Sequence, residues 1–286
     1  MSSIEDIILQ NDRRGISKLR GFLPSNYCDE AAELIRSHPG RALILTGFYI
    51  VGSQAPETDG PPGAYYLGKA LESLGYKVTH VTDVYTSFLF RGLVSDDNII
   101  DFPIADAPTS EGYAIQLLDQ LQPSIVISTE RCGLTAQGRY LNMRGIDISP
   151  YNAMLDYLVT NHDVSVGIGD GGNEIGMGNL EAHIPAVDSL PDEPTATKVT
   201  KLVLASVSNW GAYGLIAALS KLSGISLLPQ SDEESHLIQR MVDQGAVDGY
   251  LSERAYSVDG FSLEENQQLL WELHKLLADS GISDAP

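Results

Sequence analysis

The segment Gly167-Ile-Gly-Asp-Gly-Gly-Asn-Glu-Ile-Gly-Met-Gly178 packs six glycines, the carboxylates Asp170 and Glu174 and the amide of Asn173 into twelve positions. Glycine costs backbone entropy, so a fold keeps this many only where the main chain bends sharply or approaches something closely. The segment follows the apolar run Val164 to Ile168 and reads as a strand ending in a tightly turned polar site. Carboxylates beside an amide at such a turn suit general acid–base work, or the holding of a hard divalent ion such as Mg²⁺ or Mn²⁺. Gly167, Gly169 and Gly172 also satisfy G-x-G-x-x-G, but a lone match is weak, and Asp170 and Glu174 would repel a pyrophosphate. An acidic helix N-terminus would account for the charges through the helix dipole. It would not account for the glycines.

Three other stretches carry chemistry. Glu130 to Ser149 contains Arg131, Arg139 and Arg144 among Glu130, Asn142 and Asp147, in a chain with 18 basic residues against 38 acidic ones. Guanidinium groups suit bidentate recognition of a carboxylate or phosphate. Internal salt bridges to Glu130 and Asp147 would occupy one or two of them. Glu57-Thr-Asp59-Gly-Pro-Pro-Gly-Ala64 sets two carboxylates before a rigid turn into a helix, and alone it reads as a solvated acidic turn. Ser208 and Asn209 stand at another strand-to-helix turn, where they would cap the helix or fix a polar end of a ligand. The histidines, among them His80, His162, His183, His236 and His274, are scattered and form no metal-ligand pair. Cys28 and Cys132 are too far apart for a disulfide framework or a metal spacing and read as reduced thiols.

Short apolar runs must position these loops. Strands are expected at Ala42–Gly47, Lys77–Val81, Ser124–Ser128, Val164–Ile168 and Leu202–Val207, with helices near 61–74, 111–121, 150–161 and 210–222 among them. Residues 84–108 read as irregular. Strands that are short, apolar on both faces and alternate with helices indicate an α/β fold. The expected form is a doubly wound, mostly parallel sheet of about five strands with helices on both faces and a helical C-terminal layer. One domain is expected, with an N-terminal helical segment at 1–40, an α/β core at 41–225 and the C-terminal layer at 230–286, where Ser262 to Glu265 is a capping box. The unusual polar residues fall just after strand ends, and that carboxyl edge is where open parallel sheets bind ligands.

The formal charge of −20 argues against nucleic acid and anionic membranes as partners and favours a small-molecule protein. No apolar run approaches a membrane span, and the N-terminus has neither a basic region nor a signal core, so a cytoplasmic location is expected. A homo-oligomer is compatible with all of this.

Glu57 to Ala64, Glu130-Arg131 with Gly138-Arg139-Tyr140 and Asn142-Met143-Arg144, Gly169 to Gly178, and Ser208 to Tyr213 together resemble the D-glutamate cyclase domain. The likeness spans roughly residues 40 to 260, with the motifs in the same order. It implies a lyase of amino-acid metabolism that converts D-glutamate, or a related amino acid, to 5-oxoproline and water, with no nucleotide or redox cofactor. The reaction requires a deprotonated amine, a clamp on the α-carboxylate and help for a poor oxygen leaving group. Asp170, Glu174 and Glu130 are the acid–base candidates. Arg131, Arg139 and Arg144 would hold carboxylates, with Asn142, Asn173, Ser208, Asn209 and the backbone of Gly171 and Gly172 completing substrate contacts. Asp59, Asp170 and Glu174 would hold Mg²⁺ or Mn²⁺ if a metal serves. Two other readings use the same residues: a metal-dependent hydrolase or lyase of a small anionic metabolite, and a non-catalytic amino-acid-binding module.

Overall fold

A computed structural model describes residues 2–282. Its centre is a parallel sheet of six strands: β1 (Arg41–Leu45), β2 (Lys77–Thr82), β3 (Ile99–Asp101), β4 (Ile125–Thr129), β5 (Ser165–Gly169) and β6 (Lys201–Leu204). The spatial order is β3-β2-β1-β4-β5-β6. Chain direction across the sheet therefore reverses between β1 and β4, which opens a crevice at their carboxyl ends.

Strand alternation decides which side chains face which layer. Ala42 and Ile44 of β1 and Ile125 and Ile127 of β4 pack into the larger core, with helices α1 (Ile4–Ile8), α2 (Tyr27–Arg36), α3 (Pro61–Ser73) and α6 (Ser208–Ser223). Leu43, Leu45 and Val126 face the opposite core with α4 (Ala107–Leu121) and α5 (Asp156–Thr160). Every residue of α6 from Ser208 to Ser220 is buried, because the sheet lies on one side of it and α1, α2, α3 and α8 (Leu263–Asp279) pack around the others. Helix α7 (Ser231–Gln244) adds an outer layer on α8, and the Ser262–Glu265 capping box starts α8 as its sequence implies.

Three expectations change. The sheet has six strands, because Ile99–Asp101, inside the stretch read as irregular, pairs with His80–Thr82 as a short edge strand. Three residues are too few for a period to show, and the pairing partner decides the conformation. The helix expected over 150–161 shrinks to a 3₁₀ turn at Ser149–Tyr151 and α5. Ala153 is taken out of helical bonding: its N–H donates to Asp83 at 3.3 Å and its carbonyl accepts from Arg131 at 2.8 Å. The glycine segment, whose charges an acidic helix N-terminus would have explained, leads into no α-helix either. It folds back on β5 and continues as 3₁₀ turns at Met177–Leu180 and Ile184–Ala186. At Gly167 a Cβ would sit 2.8 Å from the Ile175 carbonyl and 2.9 Å from Gly176 Cα. Glycine at 167 is what lets the chain double back.

Among the described residues, no helix is long and apolar enough to cross a membrane.

Candidate active site

The loop after β1 and the first turn of α6 are built around each other. Asp59 accepts the N–H of Ser208 at 2.9 Å and that of Asn209 at 2.7 Å, so its carboxylate sits on the unsatisfied amides of a helix N-terminus. Asn209 reciprocates: its Oδ1 accepts from Gly60 N–H at 3.0 Å and Gly63 N–H at 2.8 Å, and its Nδ2 donates to the Thr58 carbonyl at 3.0 Å. Gly60 has φ +93, and a Cβ there would lie 2.7 Å from Glu130 Cβ and 2.8 Å from Thr46 Oγ1. Only glycine lets the loop come this close to the end of β4.

Glu130 follows β4 with φ +45, and its Oε2 accepts from the Ser208 hydroxyl at 2.6 Å. Asp170 follows β5. One carboxylate oxygen from each of Asp59, Glu130 and Asp170 lies within 4.8 Å of the others, and all three residues are buried. Two groups arrive from outside the sheet. Arg14 Nη1 lies 2.5 Å from Asp170 and 2.9 Å from Asp259. Glu57 is the fifth buried carboxylate, packed so closely under Gly249 that a Cβ on that glycine would overlap its Oε2.

Five carboxylates around one guanidinium make a strongly unbalanced interior. Burial, reinforced by Asp259 and Asp59, holds the Glu57 carboxyl well above the usual range. Burial and then Asp170 and Asp259 raise Asp59 despite its two helix amides, and burial with Asp170 and Glu174 raises Glu130. Burial pushes Asp170 and Asp259 up to about 6 against the pull of Arg14. Such groups either retain protons or take up a cation. Nearby, Thr46 Oγ1, Thr129 Oγ1 and Ser206 Oγ are buried at the same strand ends with no hydrogen-bond partner among the described residues. Convergent oxygen donors on fixed carboxylates fit a hard divalent ion. The set is Asp59, Glu130 and Asp170.

Several sequence-based assignments are corrected by these positions. Glu174 is not in the metal set. Its two oxygens accept the N–H groups of Gly171 at 2.7 Å and Gly172 at 2.8 Å, closing its own loop. Asn173 donates to the Leu141 carbonyl at 3.0 Å and is likewise structural. Arg131 is 1% exposed and taken up by Asp83 at 2.7 Å and the carbonyls of Gly47 and Ala153, so it has no fork to offer a substrate. Arg139 pairs with Glu193 at 2.7 Å with both side chains nearly half exposed, and Arg144 is exposed. Asn142 uses its Oδ1 to turn its own loop, accepting from Arg144 and Ile146 N–H. Ser208 and Asn209 do line the cluster, through Glu130 and Asp59. Cys132 is buried, and burial raises its thiol pKa further, as expected of an inert thiol.

Arg14 and Asp259 escaped the sequence reading. Each stands in a polar, turn-rich stretch without a motif. Asp12, two residues before Arg14 and followed by Gly15, was the available signal for a fixed turn.

Residues 4–274 match the family model described as D-glutamate cyclase-like, C-terminal. The human protein named D-glutamate cyclase, mitochondrial, is 31% identical over 211 residues, which cover 66% of this chain and 34% of that relative. The chain thus spans about a third of the length of the curated relative it matches. An exopolyphosphatase-related protein from Bacteroides fragilis aligns over 91% of this chain and 58% of its own at 9% identity and a TM-score of 0.46, a likeness too slight to bear on the site. With its motifs assembled at one sheet edge and the family model matching nearly its whole length, the chain belongs to the D-glutamate cyclase-like, C-terminal family.

Proposed function

We propose that the protein is an enzyme that closes D-glutamate onto its own γ-carboxyl group, giving 5-oxoproline and water. The observation that carries this reading is the convergence of Asp59, Glu130 and Asp170 within 4.8 Å at the crevice between β1 and β4. The name of the human relative supports the choice of substrate.

The reaction forms one C–N bond, breaks one C–O bond and moves two protons from the ammonium group to the departing oxygen. Both proton positions have candidates in the cluster. Asp259, pushed up to about 6, is a near-neutral base able to take the ammonium proton, a role that Asp170, pushed up to the same value, could share only where it holds no metal. Glu57, whose carboxyl is held well above the usual range by burial and then by Asp259 and Asp59, is the candidate to bring a proton to the reaction. That proton can go to the oxygen that leaves, the second being supplied by the reacting nitrogen. Asp59 and Glu130 are held in place by the first turn of α6 and by Ser208. A divalent ion held by Asp59, Glu130 and Asp170 would supply Lewis-acid polarisation of the γ-carboxyl group.

Chiral mass spectrometry of 5-oxoproline formed from D- and L-glutamate tests the reading, with EDTA and with added Mg²⁺ or Mn²⁺. Product from D-glutamate that disappears in Asp170→Asn supports it. Absence of product under every metal condition, or undiminished turnover in Asp170→Asn, sinks it.

A further inference from the structure

Arg14 reaches the cluster from a loop built to aim it. The Asp12 carboxylate accepts the N–H groups of Arg14 at 3.0 Å, Gly15 at 2.7 Å, Ile16 at 3.2 Å and Ser17 at 2.9 Å, and the Ser17 hydroxyl at 2.6 Å. Four amides on one side chain fix the backbone of this turn. Both contacts of Arg14 to carboxylates use a single nitrogen, Nη1. Its Nη2 and Nε make no hydrogen bond among the described residues, and 20% of the side chain remains exposed. A guanidinium is a planar fork whose second edge takes a carboxylate through two parallel bonds. Here that edge is open.

Asp259 is aimed with equal care from the other end of the chain. It sits at φ +52 in the turn between Ser257–Val258 and Phe261–Ser262, just before Gly260. Asp248 fixes that turn by accepting from the Ser257 hydroxyl at 2.6 Å and Gly260 N–H at 2.7 Å. Arg13 lies 3.7 Å over the Phe261 ring and donates to the Asp259 carbonyl at 3.0 Å. The Asp259 carboxylate is 4% exposed, yet apart from Arg14 and the neighbouring Asp170 carboxyl no group among the described residues hydrogen-bonds either of its oxygens. A buried carboxylate with open lone pairs wants a donor, and an ammonium group is one.

We infer that Arg14 and Asp259 together recognise the α-amino-acid end of the substrate, Arg14 taking the α-carboxylate on its open edge and Asp259 the α-ammonium. This rests on the cyclase reading above and adds to it the source of selectivity. The γ-carboxyl end then points to Asp59, Glu130 and Asp170. A motif-poor N-terminal turn and a C-terminal turn, outside the sheet, supply what Arg131, Arg139 and Arg144 do not.

The test compares D-glutamate with D-isoglutamine, in which an α-carboxamide replaces the α-carboxylate while amine and γ-carboxyl are unchanged. The wild-type enzyme should prefer D-glutamate in kcat/KM by roughly 100-fold or more, since a site built for a polar group rejects an analogue lacking it strongly. Arg14→Ala should bring the two substrates within about threefold of each other, and added guanidinium ion should restore turnover of D-glutamate but not of D-isoglutamine. Arg14→Lys keeps the charge without the fork and should fall between, which preserves the test if Arg14→Ala does not fold. Asp259→Asn should raise KM for D-glutamate while leaving inhibition by glutarate, which has no ammonium, unchanged. An unaltered substrate ratio in both Arg14 variants, or equal use of the two substrates by the wild type, overturns the assignment. A wild-type protein inactive on D-glutamate would instead remove the cyclase reading on which it stands.

Discussion

Two arginine–carboxylate assemblies lie at the carboxyl edge of the same sheet, and they differ in balance. Arg131 meets Asp83 at 2.7 Å, with both side chains at most 2% exposed, one cation for one anion. Main-chain groups complete the pair: Arg131 also donates to Gly47 and Ala153 carbonyls, and Asp83 accepts from Tyr85 and Ala153 N–H. Arg14 instead stands alone among Glu57, Asp59, Glu130, Asp170 and Asp259, with half its fork unused. A neutral pair whose terminal guanidinium nitrogens and carboxylate oxygens are bonded holds loops together, with Arg131 Nε alone on that pair left without a partner among the described residues. An unsatisfied excess of one charge is costly to bury, and folds tolerate it where a ligand completes it.

The difference is broken most severely at Arg131. Arg131→Met leaves the Asp83 charge buried without its partner, at a cost of about 3–5 kcal/mol of stability. Neither D-glutamate nor a divalent ion should restore it, because Arg131 and Asp83 lie outside the site proposed for them. Chemical denaturation with and without both ligands reads this directly, and full rescue by either would mean that Arg131 belongs to the substrate site.

Asp170→Asn should act in opposite directions on stability and activity. Turnover should fall by roughly 10²–10⁴-fold, the range of a lost proton-transfer group. Stability of the metal-free protein at neutral pH should rise by about 1–2 kcal/mol as a like charge leaves the cluster. The pH dependence follows from the same imbalance. Asp170 and Asp259 have folded pKa values raised to about 6, so the native state holds more protons than the unfolded chain from about pH 4 to 6. Their contribution is therefore complete below the unfolded value and is lost as pH rises through about 6. Thermal melts in EDTA should show wild-type stability declining over that interval and Asp170→Asn declining less. Parallel curves would place these protons elsewhere.

The contrast also explains what was legible in the sequence. Five strands of the sheet were visible because each is a continuous apolar run between turn residues, whereas Ile99–Asp101 is strand only by virtue of its neighbour. Asp59, Glu130 and Asp170, which converge in the structure, stood out in the sequence because each immediately follows, or lies in the loop after, a strand of the sheet. Glu174 and Arg131 stand in the same motifs and were taken for site residues. Only coordinates show that Glu174 accepts its own loop's amides and that Arg131 faces Asp83. Motif density therefore pointed to the edge where these carboxylates converge but not to which residues there are unsatisfied. Arg14 and Asp259 lie 245 residues apart and meet through the packing of α1 and α8 on α6, which no local pattern encodes.

One more buried carboxyl sharpens the comparison from the far side of α6. Glu234 in α7 accepts from the Tyr213 hydroxyl at 3.2 Å and, among the described residues, has no salt-bridge partner and no hydrogen-bond partner for Oε2. Burial lifts its pKa to about 8, so at neutral pH it is a proton-bearing group on the buried face of α7. The sign follows as before. Its contribution to stability is present below the ordinary glutamate value and is lost as pH rises through about 8. Glu234→Gln keeps the shape and removes the titration, so melts between pH 6 and 9 should flatten, with a gain of about 1 kcal/mol at the alkaline end. Turnover should be little changed, since Tyr213 lies beyond the first turn of α6 that holds Asp59. If turnover and the melt both shift with Glu234→Gln, α7 is coupled to the carboxylate cluster through α6. The excess charge at the site would then extend into the helical layer instead of ending at the sheet edge.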